Sequence, residues 1–319
     1  MQNSKAIGPS DSRAGVSVIS LLVVISIVAV LLGLLLPAIR QARAAARRME
    51  CSNKMKQIST AIESFHSTKR RYPAGNRNGH SLHTQILPFM EQSALFDQID
   101  FGIEPYLSEQ QERLLVGSRP SDFVCPSETG VGQNLRRETS TSYVTNGGIG
   151  LLGDQLSGPA TDMIDNGAFD RNLGSSLAAG DFRDGLSNTA FLSEAAWYNG
   201  AGVGELFHLE PAGSPAEWLA RVESCRGGEL RSLNTGHADL WYLPGLGTSA
   251  YLHVLPPNQN SCLFGDDIQG SLFTASSRHV GGVNVLFGDG HVQFVSSNVA
   301  TDVWRAIGTR ASSDFVGAF

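Results

Sequence analysis

Residues 16–36, VSVISLLVVISIVAVLLGLLL, are 21 consecutive positions without a charge, and only Ser17, Ser20, Ser26 and Gly33 among them are not apolar. A helix rises about 1.5 Å per residue, so such a run spans roughly 30 Å, the thickness of the hydrocarbon layer. A core helix of a soluble protein seldom runs this far without a polar face. A secretory signal has a shorter apolar region, closely followed by a small-x-small cleavage site, and none follows here before the charges. The run therefore reads as a transmembrane helix.

The helical pattern continues past the run. After Pro37 the sequence is rich in Ala, Arg, Lys and Gln, which favour helix. Cys51, Met55, Ile58, Ile62 and Phe65 recur at intervals of four and three, which makes one apolar stripe. The expectation is one helix over about 17–67, kinked at Pro37, where a backbone hydrogen bond is lost. Residues 16–36 would span the membrane, 37–70 would form an amphipathic continuation, and 71–319 would form a globular α+β domain.

Charge divides the chain in the same way. The 319 residues carry 24 Lys+Arg and 30 Asp+Glu, a net charge of −6, yet residues 1–60 alone carry +6 and the remainder −12. An acidic body is a poor partner for nucleic acid, and a basic cluster beside an apolar run suits a membrane surface. Arg40, Arg43, Arg47 and Arg48 outnumber Lys5 and Arg13, so flanking charge alone would place the body in the cytoplasm.

Within the body, Pro73 and Gly75 are expected to end the long helix. Residues 84–99 read as a short helix interrupted at Pro88, 129–175 as loops and short strands, and 190–194 as a strand after the Asp184-Gly185 turn. Residues 199–260, rich in Gly and Pro, read as a loop-rich insertion with short strands. The strongest local signal is a hairpin near the C-terminus: 283–287 and 291–295 are β-rich, and Gly288-Asp289-Gly290 stands between them. Gly290 would supply a positive φ and Asp289 would bond the turn amides. Thr301 is expected to cap a short helix carrying Trp304 and Ile307.

No HExxH, CxxC, GxSxG or phosphate-binding loop occurs, so the reading is of a protein that is not an enzyme, with no cofactor and no metal. His279, Asp289 and His291 are read as structural parts of the hairpin signature. Asp266-Asp267 and Asp162, Asp165 and Asn166 offer hard oxygen ligands for Ca²⁺, with solvated acidic loops as the blander reading. His208, His237 and His253 are too scattered to define a site. Trp197, Tyr198, Trp218, Trp241, Tyr242 and Tyr251 would make either a partner surface or core, core being favoured. Cys51, Cys125, Cys225 and Cys262 allow three full pairings. Cys225–Cys262 would clip the insertion and Cys51–Cys125 would pin the helix to the body. A buried, isolated thiol is the alternative for Cys51.

The N-terminus resembles a type IV prepilin segment, in which a short basic leader ends in Gly and a prepilin peptidase cuts after it. The leader would be residues 1–15 and the junction Gly15-Val16. Two positions depart from that pattern: Val16 stands where Phe is usual, and Ser20 stands where a Glu assists filament assembly. The segments at 51–75, 81–100, 123–128, 141–148, 181–195 and 279–295 resemble a bacterial family of unassigned function, abundant in planctomycetes. Its C-terminal signature is His, nine residues, then Asp-Gly, here His279 to Asp289-Gly290. The resemblance implies a pilin-like fold, with a long N-terminal helix packed on a mainly antiparallel sheet and a loop-rich C-terminal β region. It also implies an inner-membrane protein whose body faces the periplasm, partnered by the peptidase and by other pilin-like subunits or secretion machinery. A monomer that uses the helix only as a tether is the second expectation, and a hydrolase built on His279 and Asp289 the third.

Overall fold

The computed structural model describes residues 18–128, 138–150, 166–169, 176–197, 206–210, 212, 214–227, 231–232, 238–265 and 267–312. Two compact units divide the chain, Met1–Ala46 and Arg47–Phe319. Helix α1 (Val18–Lys69) runs through Pro37 without interruption. In the first unit its large apolar side chains from Ile19 to Ile39 are all solvent-exposed, between 46% and 73%. This segment has a mean hydropathy of 3.0 and is long and apolar enough to cross a membrane.

In the second unit the predicted stripe turns inward. Cys51, Met55, Ile58, Ala61 and Ile62 are buried in one cluster with Tyr143, Phe191, Leu192 and Leu286. α1 ends at Lys69 because Arg70 adopts a left-handed φ of 60°, earlier than the Pro73 and Gly75 breakers. Next come the short hairpin β1 (Asn76–Arg77) and β2 (His80–Ser81), then α2 (Leu82–Gln85) and α3 (Ser93–Phe96). Between the two helices, Pro88 lies in a 3₁₀ turn, Leu87–Met90, so the helix expected to be interrupted at Pro88 is two short ones. α4 (Glu109–Val116) follows, with Ser108 capping it by accepting from the Gln111 amide.

Two larger sheets follow from strands β3 (Tyr143–Asn146), β4 (Ala190–Glu194), β5 (Leu206–Leu209), β6 (Arg231–Ser232), β7 (Ala250–Tyr251), β8 (Ser261–Phe264), β9 (Asp267–Leu272), β10 (Gly282–Phe287) and β11 (Val292–Ser296). The first sheet has the order β11-β10-β4-β3-β7, and the second β6-β5-β8-β9. Pairing is antiparallel except for β3 with β7 and β5 with β8. The class is therefore α+β with antiparallel-rich sheets. Strands β3, β4, β7 and β10 of the first sheet are buried on both faces, and the edge strand β11 is half-buried. Leu192 and Leu286 join the α1 stripe, while Val144, Ala190, Val283, Val285 and Phe287 pack with Tyr251, Trp304 and Ile307.

The second sheet has its own core. α5 (Pro215–Gly227) supplies Trp218 and Val222 against Leu206, Phe264 and Leu272. This helix corrects the reading of 199–260 as loops and short strands: it is held by tertiary packing of Trp218, Val222 and Cys225. The C-terminal helix α6 (Thr301–Ala306) starts after Ala300 with no side-chain cap, so Thr301 is its first residue and not its cap. Trp197, Trp218, Trp241, Tyr242 and Tyr251 are all buried, so they are core and not a partner surface; Tyr198 lies outside the described residues.

Candidate functional site

The hairpin signature is split by the strand it contains. Asp289 and Gly290 sit in the β10–β11 turn, where Gly290 has φ 90°. Asp289 Oδ1 accepts from the His291 amide at 3.1 Å and lies 2.6 Å from His291 Nδ1, and the His291 ring stacks on Phe287 at 4.3 Å. His279 is not in this turn. It stands beyond the other end of β10, and six residues of extended strand, about 17 Å, keep it away from Asp289. The two do not converge as a hydrolase would require. A groove of about 700 Å³ opens beside the turn, lined by Ser59, Glu63, Ser67, Tyr72 and Asp289 among others.

His279 is instead the centre of a buried cluster. Ser277 Oγ accepts from the His279 amide at 3.0 Å and donates to Gly282 O at 2.8 Å, which folds the approach to β10 and turns the imidazole inward. Its Nε2 lies 3.2 Å from Glu194 Oε1 and 3.7 Å from Cys125 Sγ. The His279 and Glu194 side chains are only 6% and 2% exposed. Glu194 ends β4, and Asn284 of β10 holds both its oxygens: the Asn284 amide donates to Oε2 at 2.8 Å, and its Nδ2 donates to Oε1 at 2.9 Å. A buried carboxylate without such donors would be costly.

Cys51 on α1 and Cys125 are joined as a disulfide, and Cys225 on α5 is joined to Cys262 on β8. Tyr143 Oη donates to Cys51 O at 3.0 Å, which adds a second tie between helix and sheet. One donor atom each from Cys51, Cys125, Glu194 and His279 falls within 4.8 Å of the others, and all four residues are buried. A buried ion pair flanks this group. Glu128 Oε2 lies 3.4 Å from Arg278 Nε and accepts from the Trp197 amide at 3.3 Å, while the Arg278 guanidinium donates to Trp197 O. Burial pushes the Glu128 carboxyl up to about 7, and Arg278 and the Trp197 amide only partly offset this.

The sequence reading named Cys51, Cys125 and His279 but missed Glu194, Asn284, Glu128 and Arg278. The available signal was Glu194 itself, a carboxylate closing the otherwise uncharged strand AFLSE. Gly15 and Val16 lie outside the described residues, as do Asp162, Asp165, His237 and Asp266, and Ser20 is placed in α1 by its backbone alone. Asn166 Oδ1 accepts from the Ile149 amide at 3.0 Å, and His253 is buried in the core.

These features define an α+β protein with a buried, disulfide-linked His–Glu cluster and an N-terminal helix able to cross a membrane. The chain belongs to the family described as protein of unknown function (DUF1559), whose profile matches residues 40–302. The match begins behind the apolar run and includes every residue of the cluster. No curated protein and no solved structure matches the chain.

Proposed function

We propose that this protein is a pseudopilin-like structural or interaction protein of the cell envelope. The apolar half of α1 anchors it in the inner membrane, and the acidic body faces the periplasm. It serves as a subunit of a type II secretion or type IV pilus-like system, and a prepilin peptidase cuts it between Gly15 and Val16. Its own residues bind and assemble; they perform no chemical step on a substrate.

The observation that carries this reading is the exposure of the large apolar side chains from Ile19 to Ile39. An apolar surface of that extent is untenable in water and requires lipid or the like helices of other subunits. Two disulfides support an oxidising compartment, which favours the periplasmic side over the side indicated by flanking charge. Intact mass of the membrane-extracted protein tests the processing: the proposal expects loss of residues 1–15, and a chain that keeps them is not handled as a prepilin. Crosslinking in intact cells tests assembly and should give a ladder of subunits. A second reading, a monomeric tethered binding module, is favoured by Ser20 in place of the assembly Glu, because a hydroxyl cannot neutralise a neighbour's amino terminus. Under that reading crosslinking gives a single species.

A further inference from the structure

We propose that Cys51, Cys125, Glu194 and His279 form a binding site for one Zn²⁺ ion whenever the two cysteines are thiols. The donor set is two sulfurs, one imidazole nitrogen and one carboxylate oxygen. Four-coordinate zinc takes such ligands at about 2.0–2.3 Å, which puts tetrahedral ligand atoms roughly 3.3–3.8 Å apart. Two of the required separations already exist: His279 Nε2 is 3.2 Å from Glu194 Oε1 and 3.7 Å from Cys125 Sγ. All four donor atoms lie within 4.8 Å of one another, and after reduction the two sulfurs, 2.03 Å apart in the disulfide, must separate to about 3.8 Å to admit an ion. The carboxylate argues for Zn²⁺ over Cu⁺, which prefers an all-soft set.

Supporting contacts of the kind a metal ligand needs are also in place. Asn284 fixes both oxygens of Glu194, Ser277 fixes the His279 backbone, and Ser127 Oγ lies 3.9 Å from Cys51 Sγ. Nε2 would bind the ion through its lone pair, so the proton between Nε2 and Oε1 moves to Nδ1 as the ring changes tautomer. Each thiol releases one proton to solvent when the ion binds, so the site carries two thiolates and one carboxylate against two positive charges. Bonded and loaded states exclude one another, because each uses both sulfurs; loading follows cleavage of the S–S bond with two electrons and two protons from a thiol or phosphine reductant. Both cysteines are buried, with Cys51 at 0% and Cys125 at 4% exposure, so a bound ion would be shielded from exchange.

The experiment uses the full-length chain in detergent, reduced with a phosphine, stripped with a chelator and titrated with Co²⁺. The proposal expects one Co²⁺ per chain, with the intense visible bands of tetrahedral cobalt and a thiolate-to-cobalt charge-transfer band, both bleached by Zn²⁺. The pair Cys225→Ser and Cys262→Ser should leave the spectrum unchanged. Cys51→Ser should remove the charge-transfer intensity of one thiolate and weaken binding at least tenfold, and Asn284→Ala should weaken it about 10–100-fold. A reduced chain that keeps its near-ultraviolet circular dichroism but takes up no Co²⁺, or takes it up with octahedral bands, overturns the proposal. So does a spectrum that survives Cys51→Ser. If the reduced chain unfolds, refolding on addition of Co²⁺ supports the site, and failure to refold with the ion present refutes it.

Discussion

Two core histidines should make the body's stability depend on pH with a defined sign. His83 is fully buried: its Nε2–H donates to Tyr143 O at 2.8 Å, its ring meets Phe123 edge-on, and its Nδ1 has no partner. His253 is equally buried, with Nδ1–H donating to Trp304 O at 2.9 Å and Nε2 accepting from Tyr251 Oη at 2.6 Å. A second proton on either ring would be a buried charge with no counter-ion. Burial accordingly lowers His83 from 6.5 to about 4 and His253 from 6.5 to about 3, the carbonyl bonds offsetting this only in part.

Both native pKa values are depressed below the unfolded one, so the native state stays neutral where the unfolded chain takes up protons. Stability is then full above about pH 6.5 and falls as pH drops toward 4 and 3. The full loss is of the order of 3 kcal/mol for His83 and 5 kcal/mol for His253, at about 1.4 kcal/mol per unit. Glu128 acts in the opposite sense. Its native pKa is raised from 4.5 to about 7, so its contribution is present below 4.5 and lost as pH rises through 7. Between pH 5 and 6.5 the two imidazoles outweigh the carboxyl, and stability should rise with pH by about 1 kcal/mol per unit on average, the slope shrinking toward pH 6.5 as the unfolded imidazoles reach half-protonation. Urea midpoints read by tryptophan fluorescence across that window measure the slope. His83→Gln, which keeps a donor for Tyr143 O, should flatten it, and adding His253→Gln should reverse its sign. A slope unchanged by both substitutions would show that neither ring is held neutral, and the burial argument would fail.

Separating Cys51 from Cys125 by Ser substitution should cost about 4 kcal/mol from the 74-residue interval it closes, slightly more than the loss for the 37-residue Cys225–Cys262 interval; thermal melts of the two double variants rank them. Val28→Arg places a charge in the exposed apolar helix and should cost about 2.5–3.5 kcal/mol of insertion, read as a larger fraction released by alkaline extraction of membranes; full release of the unsubstituted chain would argue against a spanning helix. Gly282→Ala would set a Cβ 2.1 Å from Val295 O, so β10 and β11 must part at a cost of about 1–3 kcal/mol, whereas Gly227→Ala meets nothing within 4 Å and should leave the melt within a degree or two or raise it.

Where local physics decides structure, the residues announced it. The apolar run, the stripe from Cys51 to Phe65 and the Asp289-Gly290 turn are short-range patterns, and α1, its buried face and the β10–β11 hairpin follow from them. Where long-range packing decides, the sequence was mute. α5 has little amphipathic pattern and is held by Trp218 in a core assembled from β5, β8 and β9. Arg70 ends α1 by taking a left-handed conformation that neighbouring breakers did not announce. The cluster was least legible of all, because its four donors come from α1, the segment before β3, the end of β4 and the loop before β10. No spacing rule joins positions 51, 125, 194 and 279; only sheet register does.

That register gives the interval between His279 and Asp289-Gly290 a physical meaning. It is the length of β10 together with its two flanking corners. Within the strand, Val283, Val285 and Phe287 face the Trp304 side, while Leu286 faces the α1 side and Asn284 reaches Glu194. Strand faces alternate with a period of two, so a change of one residue in that interval would turn Asn284 away from Glu194 and drive Leu286 into the opposite core. Gly282 has no room for a side chain against Val295 O, and Gly290 needs its positive φ, so both corners are fixed as well. The spacing therefore measures a strand that holds a buried, charged cluster at one end and an exposed turn at the other. A reading of the signature as one compact catalytic group is incompatible with the extended backbone that separates its two ends.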